Sequence, residues 1–225
     1  MDYLVLINRA SAPVEHGEGE RERLLPVGGT DVFLERQAAC ALERLMERID
    51  GWRAIVPVSG WRSGKEQKQI WEESLRENGM EFTRTYVALP GHSEHESGLA
   101  VDLGLKKDVI DFIRPDFPYD GICGVFRELA PDYGFIERYP RGKEAVTGIG
   151  HEPWHFRYIG TPHARILTES GLVLEEYAAQ LSAEEGNVER VYRKRATCET
   201  FYKMPSGEVP VRRGERTTYR RRCGI

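Results

Sequence analysis

Apolar residues recur with helical spacing across residues 31–49, where Leu34, Ala38, Ala41, Leu42, Leu45 and Ile49 share one face and Glu and Arg hold much of the other. A stripe with a period of about 3.6 predicts a helix that buries that face. Thr30 or Asp31 is the expected N-cap, and Asp50-Gly51 the end. Short apolar runs at residues 3–7 and 55–59 predict strands, while residues 10–30, with Pro, Gly and many charges, predict a loop. Ser63-Gly64-Lys65-Glu66 has capping-box spacing, in which hydroxyl and carboxylate each satisfy a free amide of the first turn. The helix it starts reaches about Arg76, packs through Ile70, Trp71 and Leu75, and stops at Asn78-Gly79. Residues 80–97 carry little regular pattern and predict a long loop, a kind of segment that often builds sites on a rigid scaffold. Leu99, Val101 and Leu103 then alternate with Ala100 and Asp102, as in a strand. Residues 122–130 predict a short helix before Pro131, and residues 154–159 a strand. Pro162 opens a further helix, broken at Gly171 before another over 172–182.

Beyond Gly186, residues 188–195, 197–204, 209–213 and 217–222 predict strands, with turns at Ser206-Gly207 and Gly214. This order of helices and antiparallel strands lacks the regular alternation of a doubly wound sheet. The expected class is α+β: a small antiparallel sheet with packed helices, followed by a basic β-rich appendage. Charge supports that division. Residues 190–225 hold 11 Lys or Arg against 3 Glu, a balance of +8, and the whole chain carries -4, which leaves -12 on residues 1–189. The expected domains are 1–185 and 186–225. Tyr192, Phe201, Tyr202 and Tyr219 among the basic strands suit an anionic ligand, but a solvated edge sheet or a dimer contact is the more ordinary reading.

With 40% hydrophobic and 30% charged residues the chain can build a core and stay soluble. Its small net charge points to neither nucleic acid nor membrane. The apolar run near the N-terminus is five residues long and ends at Asn8 and Arg9, so neither a signal peptide nor a membrane anchor is expected, and the cytoplasm is the expected compartment. The four cysteines form no CxxC pair, which argues against a thiolate metal knuckle. Cys40 is expected to be a small buried helix residue. Cys198 and Cys223 are candidates to pair, or free thiols in a reducing compartment.

Two segments carry chemistry. Ser93-Glu94-His95-Glu96-Ser97-Gly98-Leu99-Ala100-Val101-Asp102 supplies an imidazole and a carboxylate from an apolar strand, and Glu152-Pro153-Trp154-His155 supplies a second imidazole beside a spare carboxylate. That is the inventory of a one-zinc hydrolase: protein ligands, an open position for water and a general base. A carboxylate inside an apolar strand needs a cation, a metal or hydrogen bonds. His92 and His151 are rival imidazoles, and spacing alone does not choose among them.

These segments resemble the vancomycin-resistance D,D-peptidases of the VanY, VanX and VanXY types within the M15 peptidases. The motif SxHxxGxAxD is met by Ser93, His95, Gly98, Ala100 and Asp102, and ExxH by Glu152 and His155. Ser59-Gly60-Trp61-Arg62-Ser63, Tyr133-Gly134-Phe135 and Arg138-Tyr139-Pro140 also match, so the likeness covers roughly residues 1–165. The resemblance implies a hedgehog/D-Ala-D-Ala peptidase-like core with Zn2+ held by His95, Asp102 and His155. It implies Glu152 as catalytic base, Arg62 steadying the oxyanion, and Ser93 bonding the substrate carboxylate. Gln67, one helical turn beyond Arg62, is a candidate for the same cleft. Trp154 either floors the pocket or packs in the core. The implied partners are peptidoglycan precursor peptides ending in D-Ala-D-Ala, with free D-Ala-D-Ala as a second candidate substrate and depletion of the vancomycin target as the outcome. No SxxK motif suggests a serine acyl-enzyme. The alternatives are an L,D-carboxypeptidase acting on tetrapeptide stems and a non-catalytic module that binds wall precursors. Oligomeric state is not legible.

Overall fold

The first long helix starts later than its apolar stripe suggests. Leu24–Pro26 (β1) pairs antiparallel with Phe33–Glu35 (β2), so Leu34 is core but belongs to a strand, and the helix α1 spans Arg36–Ile49. Glu35, not Thr30 or Asp31, is the N-cap: its Oε2 accepts from the amides of Gln37 at 2.8 Å and Ala38 at 3.3 Å. The reason is non-local, because strand pairing claims residues 33–35 before helical propensity can. Ala38, Ala41, Leu42 and Leu45 are buried as their spacing predicts. Cys40 lies off that stripe and is exposed, contrary to expectation.

In this computed structural model the described residues are 3–11, 14 and 20–183. Ile55–Ser59 (β3) leads through Ser63 into α2, Gly64–Tyr86. Its capping box is formed: Glu66 Oε2 accepts from the Ser63 amide at 2.7 Å and Ser63 Oγ from the Glu66 amide at 3.2 Å. Gly79 breaks the helix at φ 80, ψ 173, but a second helical stretch follows and reaches Tyr86 within the segment expected to be loop. The buried hydroxyls of Ser74 and Thr83 join the two stretches at 2.8 Å.

The remaining elements are β4 (Ala100–Leu105), α3 (Gly121–Leu129), β5 (Phe135–Tyr139), α4 (Glu144–Thr147), β6 (Glu152–Tyr158), α5 (His163–Ser170) and α6 (Leu174–Ala183). The sheet order is β3-β4-β6-β5, antiparallel throughout, which makes the class α+β. β5 has no counterpart in the apolar pattern, because Phe-Ile-Glu-Arg-Tyr interleaves charge with core residues. Residues 3–7 form no strand; they lie along Arg157, whose Nη2 donates to the carbonyls of Tyr3 at 3.2 Å and Val5 at 2.8 Å.

Side-chain alternation sets the two faces of the sheet. Val101, Leu103, Phe135, Trp154 and Phe156 join Leu42, Leu45 and Phe126 in the main core. Asp102, His155 and Arg157 alternate with those residues and project from the other face. The expected C-terminal strands and Cys198 and Cys223 lie outside the described residues.

Candidate metal centre and catalytic cleft

Strand register brings the first two polar groups together. Asp102 on β4 is the direct partner of His155 on β6, so pairing of two core strands sets imidazole beside carboxylate. His155 Nδ1 lies 3.0 Å from Asp102 Oδ1 and 3.6 Å from Glu152 Oε2. Glu152 is the register partner of Tyr139 beyond a β-bulge, a device that re-aims a strand at a site.

His95 arrives from a different kind of element. A short 3-10 turn, Glu94–Ser97, carries it, and Gly98 ends that turn at φ 75, a left-handed conformation natural to glycine. A Cβ on Gly98 would also come within 3.1 Å of the Glu35 amide nitrogen. His95 Nδ1–H donates to the Gly60 carbonyl at 2.8 Å, which leaves Nε2 free, 3.2 Å from Asp102 Oδ2. Gly60 reaches that position because it has no side chain: a Cβ there would sit 2.4 Å from the Phe33 carbonyl oxygen. The rings of His95 and His155 meet edge to face, centroids 5.0 Å apart.

One ligand atom from each of His95, Asp102 and His155 lies within 4.8 Å of the others, and all three residues are buried. The donor set fits a divalent cation. Asp102 Oδ1 is buried without a hydrogen-bond partner although His155 Nδ1 is 3.0 Å away. An acceptor left facing a ring nitrogen in this way is satisfied by a cation between them, and two nitrogens with one oxygen suit zinc.

Electrostatics separate the groups. Burial raises the Glu152 carboxyl, helped by the charges of Asp102 and Glu94 and opposed by His155 and Arg62, to about 8. Burial opposes protonation of His155, but the adjoining carboxylates of Asp102 and Glu94 outweigh it and lift it to about 9. Burial lowers His95, with the Arg62 charge adding to the effect. Asp102 sits well below the usual carboxylate range, its burial cost outweighed by both imidazoles.

These groups line a cavity of about 360 Å³, a size suited to a small ligand. Arg62 and Ser93 are on its wall, with Glu152 and Trp154. Arg62 Nε has no hydrogen-bond partner, and the charge faces Asp102 and Glu152. Trp154 does both things expected of it, lining the cavity while packing in the core. Gln67 does not line this cavity: it is fully buried, and its Nε2–H donates to the Ala88 carbonyl at 2.7 Å, so Ala88 stands on the wall in its place. Of the rival imidazoles, His92 bonds the Asn8 carbonyl at 3.0 Å, and His151 meets Tyr119 Oη at 2.7 Å.

Sequence reasoning gave no role to Glu94, Arg138 or Arg157, all buried behind His155. Glu94 and Arg138 stood in quoted segments, and for Arg138 and Arg157 the available signal was an arginine at an alternating position within an apolar strand. It also passed over Tyr86, Phe112 and Ile113, which wall the cavity from segments distant in sequence.

The profile of the VanY family, D-alanyl-D-alanine carboxypeptidase, matches residues 31–161. Over 178 residues the chain is 43% identical to the bifunctional D-Ala-D-Ala dipeptidase and D-Ala-D-Ala carboxypeptidase VanXYC of Enterococcus gallinarum, covering 79% of this chain and 94% of that protein. The crystal structure of the vancomycin-resistance D,D-dipeptidase VanXYg in complex with a D-Ala-D-Ala phosphinate analogue superposes with a TM-score of 0.75 at 52% identity, covering 80% of this chain and 72% of that one. A mutant of the D,D-pentapeptidase VanY from the VanB-type resistance cassette, in complex with Zn(II), gives 0.62 at 28% identity over 79% of this chain and 99% of that one. The described fold, the buried His-Asp-His cluster and these similarities together establish that this chain belongs to the VanY family of D-alanyl-D-alanine carboxypeptidases.

Proposed function

We propose that the protein is a zinc-dependent D,D-carboxypeptidase that removes the terminal D-Ala from peptidoglycan precursors ending in D-Ala-D-Ala, and that it also hydrolyses the free dipeptide. One observation carries the reading: a buried His95–Asp102–His155 cluster on the wall of a cavity that also holds a buried carboxyl and an unpartnered guanidinium nitrogen. The 43% identity to a bifunctional dipeptidase and carboxypeptidase supports the pair of substrates.

His95 through Nε2, His155 through Nδ1 and Asp102 hold the zinc. Zinc in such a site polarises the scissile carbonyl and makes water a competent nucleophile at neutral pH. Glu152 takes the proton of the attacking water at a carboxylate oxygen and delivers it to the nitrogen of the departing D-Ala. Arg62 keeps its charge toward the carbonyl oxygen as that oxygen becomes anionic, so it stabilises the transition state more than the bound substrate. Ser93 bonds the terminal carboxylate and Trp154 walls the pocket. Gln67 acts one residue removed, by holding Ala88.

The catalytic domain is assigned to residues 1–185, in keeping with the compact unit Met1–Ala183. Among the described residues no helix is long and apolar enough to cross a membrane. A dipeptidase meets free D-Ala-D-Ala before that dipeptide is joined to a wall precursor, which places the activity in the cytoplasm. The test gives the zinc-loaded enzyme free D-Ala-D-Ala, a pentapeptide precursor and a tetrapeptide precursor. D-Ala released from the first two is the expected result; turnover of the tetrapeptide alone would replace this reading with an L,D-specific one.

A further inference from the structure

Behind the ligand cluster lies a second layer of charge. Glu94 is fully buried and its two oxygens are divided between two tasks. Oε1 accepts from Arg138 Nε at 2.7 Å and Arg157 Nη1 at 2.8 Å. Oε2 faces His155 Nε2 at 3.4 Å. Both arginines are themselves fully buried and fully engaged elsewhere. Arg138 grips Glu175 of α6 through two bonds of 2.8 and 2.6 Å. Arg157 grips the carbonyls of Tyr3 and Val5.

We infer that Glu94 is a positioning residue for the zinc ligand His155: its carboxylate accepts the Nε2 proton, fixes that tautomer and so presents the Nδ1 lone pair to the metal. The inference rests on the zinc-ligand reading above. A ligating imidazole whose remote nitrogen donates to a carboxylate is held in one tautomer and orientation and is a more basic ligand. The contrast with His95 makes the need plain. That ring donates through Nδ1 to Gly60 and presents Nε2, so the two imidazoles face the metal through opposite nitrogens. The other tautomer of His155, with its proton on Nδ1, would point that proton at Asp102. Glu94 opposes that tautomer only while Arg138 and Arg157 hold its other oxygen, and they in turn are anchored by α6 and the N-terminal segment.

The test uses the full chain. Zinc affinity is measured by chelator competition for the wild type, Glu94→Gln and Glu175→Gln, the last a milder change at the edge of the network. The zinc dissociation constant is expected to rise about 10- to 100-fold in Glu94→Gln and by a smaller, measurable factor in Glu175→Gln. Cobalt(II) absorption of Glu94→Gln is expected to show altered coordination geometry, a signature that loss of fold stability alone does not produce. In the zinc-loaded wild type, histidine nitrogen NMR should report a protonated Nε2 on His155 and a protonated Nδ1 on His95, a measurement that does not depend on any variant folding. A folded Glu94→Gln with unchanged zinc affinity and cobalt spectrum, or a His155 protonated at Nδ1 in the zinc-loaded protein, overturns the assignment. Failure of the wild type to bind zinc would instead remove the ligand reading on which it stands.

Discussion

At the scale of single residues, the site is a set of buried groups, each of which sets the protonation of its neighbours. Glu152→Gln keeps the shape of the side chain but cannot accept a proton, so kcat should fall about 100- to 10,000-fold, while zinc content, measured by metal analysis of the purified variant, stays stoichiometric. Arg62→Ala removes the cation facing the developing charge and should lower kcat by about 100- to 1,000-fold with a smaller change in KM. The metal-free protein should also carry a pH signature. His155 is raised from its ordinary 6.5 to about 9 and Glu152 from 4.5 to about 8. Both groups therefore bind protons more tightly in the folded than in the unfolded chain. Their stabilisation is present below the unfolded values and is lost as pH rises through the folded ones. His95, lowered, has the opposite sign but only below about its ordinary value. Between pH 7 and about 9 the melting temperature of metal-free protein should fall, and saturating zinc should flatten the slope, because a metal at His155 Nδ1 replaces the proton. A melting temperature that rises over that window would contradict the charge balance described here.

At the scale of elements, strand pairing overrides local preference in two places. The helix stripe over residues 31–49 is real, yet β2 takes its first residues and moves the cap to Glu35. Glu35→Ala should therefore cost about 1 kcal/mol of unfolding free energy, while Asp31→Ala should cost little, as read by denaturant titration. Equal effects would return the cap to its sequence-expected position. The break at Gly79 is legible from Asn78-Gly79, but the helical stretch beyond it is not, since Met80 to Tyr86 has no apolar stripe and is held by contacts such as Ser74–Thr83. β5 escaped notice for a related reason: Arg138 breaks its apolar run, and only the distant Glu94 and Glu175 make that arginine tolerable in a core.

At the scale of the whole molecule, the cleft depends on segments far apart in the chain. The Gly60 carbonyl orients His95 across 35 residues, and Glu94 touches His155 across 61. If the domain boundary near residue 185 is correct, a chain ending there should retain kcat and zinc affinity within about twofold, about 0.4 kcal/mol on the scale where a factor of ten is 1.36 kcal/mol; loss of zinc binding would make the extension part of the catalytic unit. Much of the chemistry was open to reading from the sequence alone. The resemblance of two short segments and the Ser59–Ser63 run to the VanY, VanX and VanXY motifs singled out His95, Asp102, Glu152, His155, Arg62 and Ser93, and alternation placed Asp102 on the face away from Val101. Short motifs carry such information because their residues lie within a few positions of one another and can be matched as a unit. Tertiary structure alone decided which nitrogen of each imidazole faces Asp102, that Gln67 stands behind Ala88, and that two buried arginines secure Glu94. Those outcomes depend on partners brought together by sheet register and packing, and the energy of burying a charge is set by whatever lies across the fold from it.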